Sequence, residues 1–298
     1  MDRETVKESR RVLRRFQDHV MQAHLLLGAE QQNLGMVDVI YHPGSRAGDF
    51  NYVTPRRNTA WVSGNFVQQG IDRMRELNRT PRVQYIEGLF PPLFARTLRD
   101  LDLEPEQETP IMIYSADGLS GADPLPITLP PLPAGIRFET VKDQRGVELW
   151  WYVWRNAYYD VLTLGVEPII VGRDMAALHQ GKQIDIIVYR YEFPVGVIRL
   201  SLQPDNNTAH ILALALMREV RDTQMTYLMI VNGMLTAIER GYKLIFAPGD
   251  GEEDRRLLRG IGFMDFGSIL CYAARPESTS EGSTDDSLVQ PVLTFRGN

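Results

Sequence analysis

Apolar positions along this chain recur in two rhythms, one of three and four residues and one of two. Val12, Phe16, Val20, Ala23 and Leu27 follow the first, so residues 4–27 are predicted as an amphipathic helix that Gly28 terminates. "GMVDVIYHP" alternates as a strand, "NFVQQGIDRMREL" is helical, and "PRVQYIE" is a strand opened by Pro81. "LFPPLFARTLRDLDLEP" reads as a Pro-started helix and "TPIMIYS" as a strand. A stretch rich in proline and glycine, residues 119–135, reads as a linker.

A second series begins after it. "IRFETV" is a strand, "GVELWWYVWRNAYYDVL" an aromatic helix and "GRDMAALHQG" a short helix. "IDIIVYRYEFPVGVIRLSL" is a hairpin that turns near Glu192 to Pro194, and "HILALALM" is a buried strand. From Tyr227 to Arg240 a helix places Leu228, Val231, Leu235 and Ile238 on one face and ends at Gly241. "KLIFA" is a strand, and "DGEEDRRLLRGIG" a helix whose Asp250 and Glu253 have the spacing of a capping box. "FGSILCYAA" is the last strand. Residues 276–298 read as a flexible tail, in which "LVQPVLTF" either stays free or docks as an edge strand. The domains expected are therefore residues 1–118, a linker over 119–135, residues 136–275, and the tail.

Composition narrows the class. The 298 residues, 44% hydrophobic and 23% charged, suffice for one large domain or two ordinary ones. A net charge of -6 gives no reason to expect nucleic acid as a partner. No apolar run is long enough to span a bilayer, and the charged N-terminus has no signal-peptide character. With Cys271 as the single cysteine an internal disulfide is excluded, and a cytoplasmic protein is expected.

Metal chemistry finds no support here. His19, His24, His42, His179 and His210 share no zinc-ligand spacing, and "PGDGEED" lacks the spacing of a calcium loop. No nucleophile elbow, phosphate-binding loop or dinucleotide fingerprint occurs. Cys271 alternates within its strand as a core residue. Trp150, Trp151 and Trp154 suit either an acceptor-pocket wall or helix–sheet packing.

The order strand, helix, helix, hairpin, long strand, charged turn, helix, strand, helix, "GF", strand resembles the GNAT acetyltransferase superfamily over roughly residues 136–275. "LALMREVRDTQMTYLM" stands where that family has its acetyl-CoA signature, and "IERGYKLIFA" and "LLRGIGF" are similar to the family's helix end, next strand and "GF". "GIDRMRELNRTPRVQYIEGLFPPLFARTLRDLDLEPEQETPIMIY" resembles the degenerate half of tandem GNAT proteins. The resemblance implies an α/β (α+β) fold of two tandem GNAT-like domains, each a mixed, mainly antiparallel sheet flanked by helices.

It also implies a chemistry: transfer of an acetyl group from acetyl-CoA, as co-substrate, to an amine acceptor that attacks directly. Leu214 and Leu216 would lie along the pantetheine arm, and Arg221, Gln224, Met225 and Thr226 would form the pyrophosphate turn. Arg221 matches the first signature position, while Gln224 and Thr226 stand where the family has glycines, which let the backbone approach the ligand. The N–H groups of residues 224–226 are expected to remain available at a helix N-terminus. Leu258 occupies the position of the tyrosine that protonates the departing thiolate, and Tyr227, Tyr242 and Tyr272 are expected to be packing residues. His210 falls where some members carry the glutamate that deprotonates the amine; otherwise it simply opens its strand. Two further readings stay open, a GNAT-fold binding or regulatory protein without catalysis, and a scaffold whose halves form an interface.

Overall fold

The computed structural model describes residues 3–57, 59–119, 126–159 and 165–274. Residues 120–125 of the expected linker and the whole expected tail, with its "LVQPVLTF", lie outside them. The first elements are helix α1 (Arg3–Leu26), strands β1 (Glu30–Leu34), β2 (Val37–Tyr41) and β3 (Tyr52–Pro55), helix α2 (Gly64–Glu76), strand β4 (Arg82–Ile86), helix α3 (Leu93–Asp100) and strand β5 (Leu103–Ser115). Then come β6 (Ile136–Thr140), α4 (Gln144–Tyr159), α5 (Pro168–His179), β7 (Gln183–Arg190), β8 (Phe193–Gln203) and β9 (Thr208–Leu216). The series ends with α6 (Thr223–Glu239), β10 (Leu244–Pro248), α7 (Glu252–Ile261) and β11 (Met264–Ala274). The fold is α/β, with mixed, mainly antiparallel sheets flanked by helices. No helix of the described residues is long and apolar enough to cross a membrane.

Two compact units arise, and the first is not one stretch of chain. Among the described residues, the first takes residues 3–110 together with 266–274, and the second 111–265. The described residues of the expected linker, 119 and 126–135, lie inside the second unit, and β5 runs through the division at Pro110 and Ile111. In the first unit the strands pair in the order β1, β2, β3, β4, β11, with β3 and β4 parallel across α2. Val12, Leu13, Phe16 and Ala23 form the buried stripe of α1, close to the predicted one.

Strands β1 and β3 escape the alternation rule for opposite reasons. "EQQNL" is a polar, largely exposed strand, and all four residues of "YVTP" are buried. The second hairpin also turns earlier than predicted. Tyr191, at φ +56°, and Glu192 make the turn, and Pro194 pairs with Tyr189 inside the strand.

The second unit orders its strands β5, β10, β9, β8, β7, β6, with β10 and β9 parallel. Helices α6 and α7 cover one face and α4 and α5 the other. Helix α6 is apolar nearly all round because it is nearly all buried. A Cβ on its Gly233 would meet Ile198 Cδ1 at 2.8 Å, so the Ile198 side chain would have to move aside. That close approach seats the helix directly on β8.

On the other face lies a fully buried charge cluster. Arg199 of β8 donates to Asp185 of β7 at 2.7 and 2.6 Å and to Asp174 of α5 at 2.6 Å. Its guanidinium stands 4.0 Å from the centre of the Trp150 ring. Trp151 Nε1 donates to Asp174 at 2.8 Å, and Gln183 donates to Asp185 at 2.9 Å. Burial works to raise the Asp174 carboxyl, but Arg199 and Arg173 hold it below the usual range. Burial prevails at Asp185 and pushes it up, despite Arg199. The cluster ties α5 to the middle of the sheet.

Removing one member strands the others in a dry environment. Arg199→Leu is therefore expected to lower unfolding stability by ~3–5 kcal/mol, read from urea titration. Replacing Arg199, Asp174 and Asp185 together with apolar residues of similar volume should recover most of that loss. A single-variant loss below ~1 kcal/mol would contradict the assignment.

Candidate functional site

Strand β9 is bonded on one side along its length and on the other only at its start. Toward β8 the register runs from Gln203 opposite Thr208 to Gly196 opposite Leu216. Toward β10 the pairing covers Thr208, Ala209 and His210 and ends with His210 opposite Phe246. Beyond that point β10 stays with β5, where Ala247 faces Met112 and Pro248 faces Ile111. Pro248 has no N–H to offer a ladder. From Ile211 to Leu216, then, the edge of β9 turned toward β10 has no strand partner among the described residues.

A bulge lies at the head of this edge. Arg199 faces Ala213 and Leu200 faces Ile211, which leaves Leu212 as the extra residue. Past the bulge the direction of the backbone groups can be read from one bond. Met217 N–H donates to the Val195 carbonyl at 2.8 Å, so 217, and by alternation 215 and 213, are the residues bonded to β8. Leu214 and Leu216 turn their N–H and C=O groups the other way, onto the open edge, where Arg221 takes the Leu216 carbonyl, while their side chains are buried beside α6. The two residues matched to the pantetheine arm are the two with outward backbone groups.

The turn after β9 is tied down by its own side chains. Arg221 Nη2 donates to the carbonyls of Ala157 at 2.8 Å and Leu216 at 3.2 Å, joining α4 to the end of β9. Asp222 is the N-cap of α6, and its Oδ1 accepts from Met225 N–H at 2.6 Å. Thr226 donates to the Asp222 carbonyl through its N–H at 3.1 Å and through Oγ1 at 3.0 Å. The helix thus begins at Thr223, not at Tyr227, because its first turn is polar and carries no apolar rhythm.

This corrects the expectation that residues 224–226 offer three N–H groups. Those of Met225 and Thr226 are engaged within the cap, and of the three only that of Gln224 is left by helix geometry. Gln224 is exposed, and Met225 and Thr226 are buried. The cap itself was legible in the sequence, since aspartate before a helix is a preferred N-cap.

A cleft of about 420 Å³ opens between the first turns of α6 and helix α7, lined by Thr223, Thr226, Tyr227, Glu253, Asp254 and Arg256. Helix α7 caps one residue later than predicted: Gly251 is its N-cap, and Asp254 accepts from the Gly251 N–H at 3.3 Å. Leu258 is fully buried. Of the three tyrosines, Tyr227 lines this cleft, while Tyr272 packs beside Tyr85 in the first unit.

His210 ends the paired stretch of β9 opposite the buried Ser201. Its neighbours Ala209 and Ile211 pack on the α6 side, so His210 faces α4 and α5. It keeps some solvent contact, yet burial lowers its pKa from 6.5 to about 4. At neutral pH the ring is uncharged. Trp150, Trp151 and Trp154 are buried between α4 and the sheet, so packing is their role. Cys271 donates to Glu106 at 3.3 Å, and burial pushes its thiol up to about 12.

The arrangement of helices and strands over most of the chain is shared with solved structures. A GCN5-related N-acetyltransferase from Kribbella flavida superposes with a TM-score of 0.67 at 14% identity, covering 89% of this chain and 96% of that one. The fold is that of the GCN5-related N-acetyltransferases. A tandem GNAT protein from the clavulanic acid biosynthesis pathway gives a TM-score of 0.62 at 12% identity, over 93% of this chain and 97% of that one. A GCN5-related N-acetyltransferase from Sphaerobacter thermophilus gives 0.56 at 14% identity, over 82% of this chain and 83% of that one. No protein-family model matches the chain, and no curated protein matches it in sequence.

The low pKa of His210 has a consequence for stability. An unfolded imidazole takes up its proton near ~6.5 and the folded one near about 4. Between those values the unfolded chain holds more protons, so this contribution to stability falls as pH drops from 6.5 to 4 and is constant below 4. His210→Asn should flatten the decline by roughly 1–2 kcal/mol across that window, measured by urea titration at each pH. Parallel curves for the two proteins would place His210 in water.

Proposed function

We propose that the second unit is an acyltransferase of the GNAT type that holds an acyl thioester along the open edge of β9 and passes its acyl group to an amine. Acetyl-CoA is the reference donor. One observation carries this reading: past the bulge at Leu212, Leu214 and Leu216 turn their N–H groups to an edge with no strand partner among the described residues. A pantetheine arm is itself an extended chain of amides, so it pairs with such an edge as a strand would. An N–H at this edge, directed at the thioester oxygen, would stabilise the charge that develops there.

The chemistry needs little more. The amine nitrogen attacks the thioester carbon from the α4 and α5 side, an N–C bond forms, and the C–S bond breaks. The proton leaving nitrogen is taken by His210, through water, and the departing thiolate takes a proton from solvent. Leu258 supplies none. That loss is tolerable because thiols titrate near ~8.5 and leave readily as thiolates. The acceptor is an amine whose identity rests on residues around α4 and α5.

A second reading is a GNAT-fold binding or regulatory protein that does not catalyse transfer. The apolar Leu258 and the engaged N–H groups of Met225 and Thr226 favour it.

Thermal melting with acetyl thioesters, followed by thiol release with a panel of amines, separates the two. A donor at 100 times its Kd adds ~2.7 kcal/mol, a clear shift in melting temperature. Transfer predicts both the shift and thiol release, whereas a shift without release across the panel would favour the binding protein. If His210 is the base, His210→Ala should lower kcat by about 10- to 100-fold with donor affinity intact. The parent rate should fall as pH drops through about 4, since the uncharged ring is the active form, and the variant should lose that limb. Turnover within threefold of the parent would remove His210 from the reaction.

A further inference from the structure

Three features of the α6 N-terminus withdraw it from an anionic ligand. Asp222 places a carboxylate on Met225 N–H at 2.6 Å, in the position where a diphosphate oxygen would accept. Thr226 spends its N–H and its hydroxyl on the Asp222 carbonyl. Arg221, the cation of the turn, donates to the carbonyls of Ala157 and Leu216. The neighbouring cleft adds Glu253 and Asp254 against the single cation Arg256. Meanwhile Leu214 and Leu216 present amide groups on the edge of β9.

Resting on the reading of that edge as a thioester-holding strand, we infer that Asp222 is a donor-specificity residue. It closes the α6 N-terminus to a diphosphate, so the donor is an acyl-pantetheine thioester recognised by its acyl and pantetheine parts and not by a nucleotide. Like charges ~5 Å apart in a half-wet cleft weaken binding by roughly 5- to 30-fold, which is the discrimination asked of Asp222. The diphosphate of acetyl-CoA is then carried into solvent or held beside the carboxylate at that cost.

Calorimetry on the full chain with two probes, acetyl-CoA and acetyl-pantetheine, tests this against Asp222→Asn. The asparagine keeps an Oδ1 for the Met225 N–H, so the cap and the fold persist, as melting of both proteins verifies. The parent should bind acetyl-pantetheine at least as tightly as acetyl-CoA. In the variant acetyl-CoA should tighten by about 5- to 30-fold at about 20 mM salt, a gain that shrinks below ~2-fold at 0.5 M salt, while acetyl-pantetheine changes less than ~2-fold. Acetyl-CoA affinity that does not tighten in the variant, with acetyl-pantetheine bound by both proteins, would overturn the role of Asp222 alone. So would a parent that binds acetyl-CoA about 100-fold tighter than acetyl-pantetheine, because the diphosphate would then be a favoured contact. Absence of binding of either probe to both folded proteins would overturn the thioester reading, and this inference with it.

Discussion

Strand β9 keeps β8 beside it from end to end and loses β10 after His210, and the arrangement of the second unit depends on that parting. Backbone amides in a sheet are ordinarily consumed by neighbours, so an edge with no strand partner among the described residues leaves the N–H groups of Leu214 and Leu216 turned to a ligand. The parting has local causes. Pro248 removes a donor from β10, and β5 holds that strand on its far side through Ala247 and Pro248. Leu212 inserts the extra residue that re-aims the chain where the edge opens. Around it the structure is firm: α6 seats on β8 over Gly233, and the Arg199 cluster fastens α5 to β7 and β8.

At the end of the strand this firmness takes another form. A helix N-terminus attracts whatever negative charge is near, and here the nearest is the chain's own Asp222. A glycine-rich turn keeps its amides open by having no side chain to fold over them. This turn has Gln224 and Thr226 where such glycines would stand, and its Asp222 and Arg221 both point back into the protein. The strand edge is open and the helix end is engaged. A donor with a long neutral arm suits that combination better than one held by its phosphates.

The legible parts of the fold are those where one face is buried and the other wet. The stripe of α1, the helix α2 and the hairpin β7–β8 all declare themselves by period. The polar β1 and the wholly buried β3 do not, because neither alternates. Leu214, Leu216, Arg221, Gln224, Met225, Thr226 and His210 could be named in advance, yet their roles could not. Whether an amide is open depends on which pair of a ladder is bonded, and that is set by the Met217 to Val195 register. Asp222 is as readable as these, as an aspartate just ahead of a helix. Its meaning as a cap appears once the helix is seen to begin at Thr223. The exchange of strands between the units, with β11 joining β4, leaves no trace in composition or period.

Amide hydrogen exchange at single residues of β9 tests the central claim most directly. If the edge is open, the N–H groups of Leu214 and Leu216 exchange at least ~10-fold faster than those of Ala213 and Ala215, which are bonded to β8. Saturating acetyl-pantetheine should slow Leu214 and Leu216 and leave Ala213 and Ala215 as they were. Equal protection of all four in the free protein, or no change at Leu214 and Leu216 with the thioester bound, would contradict the account.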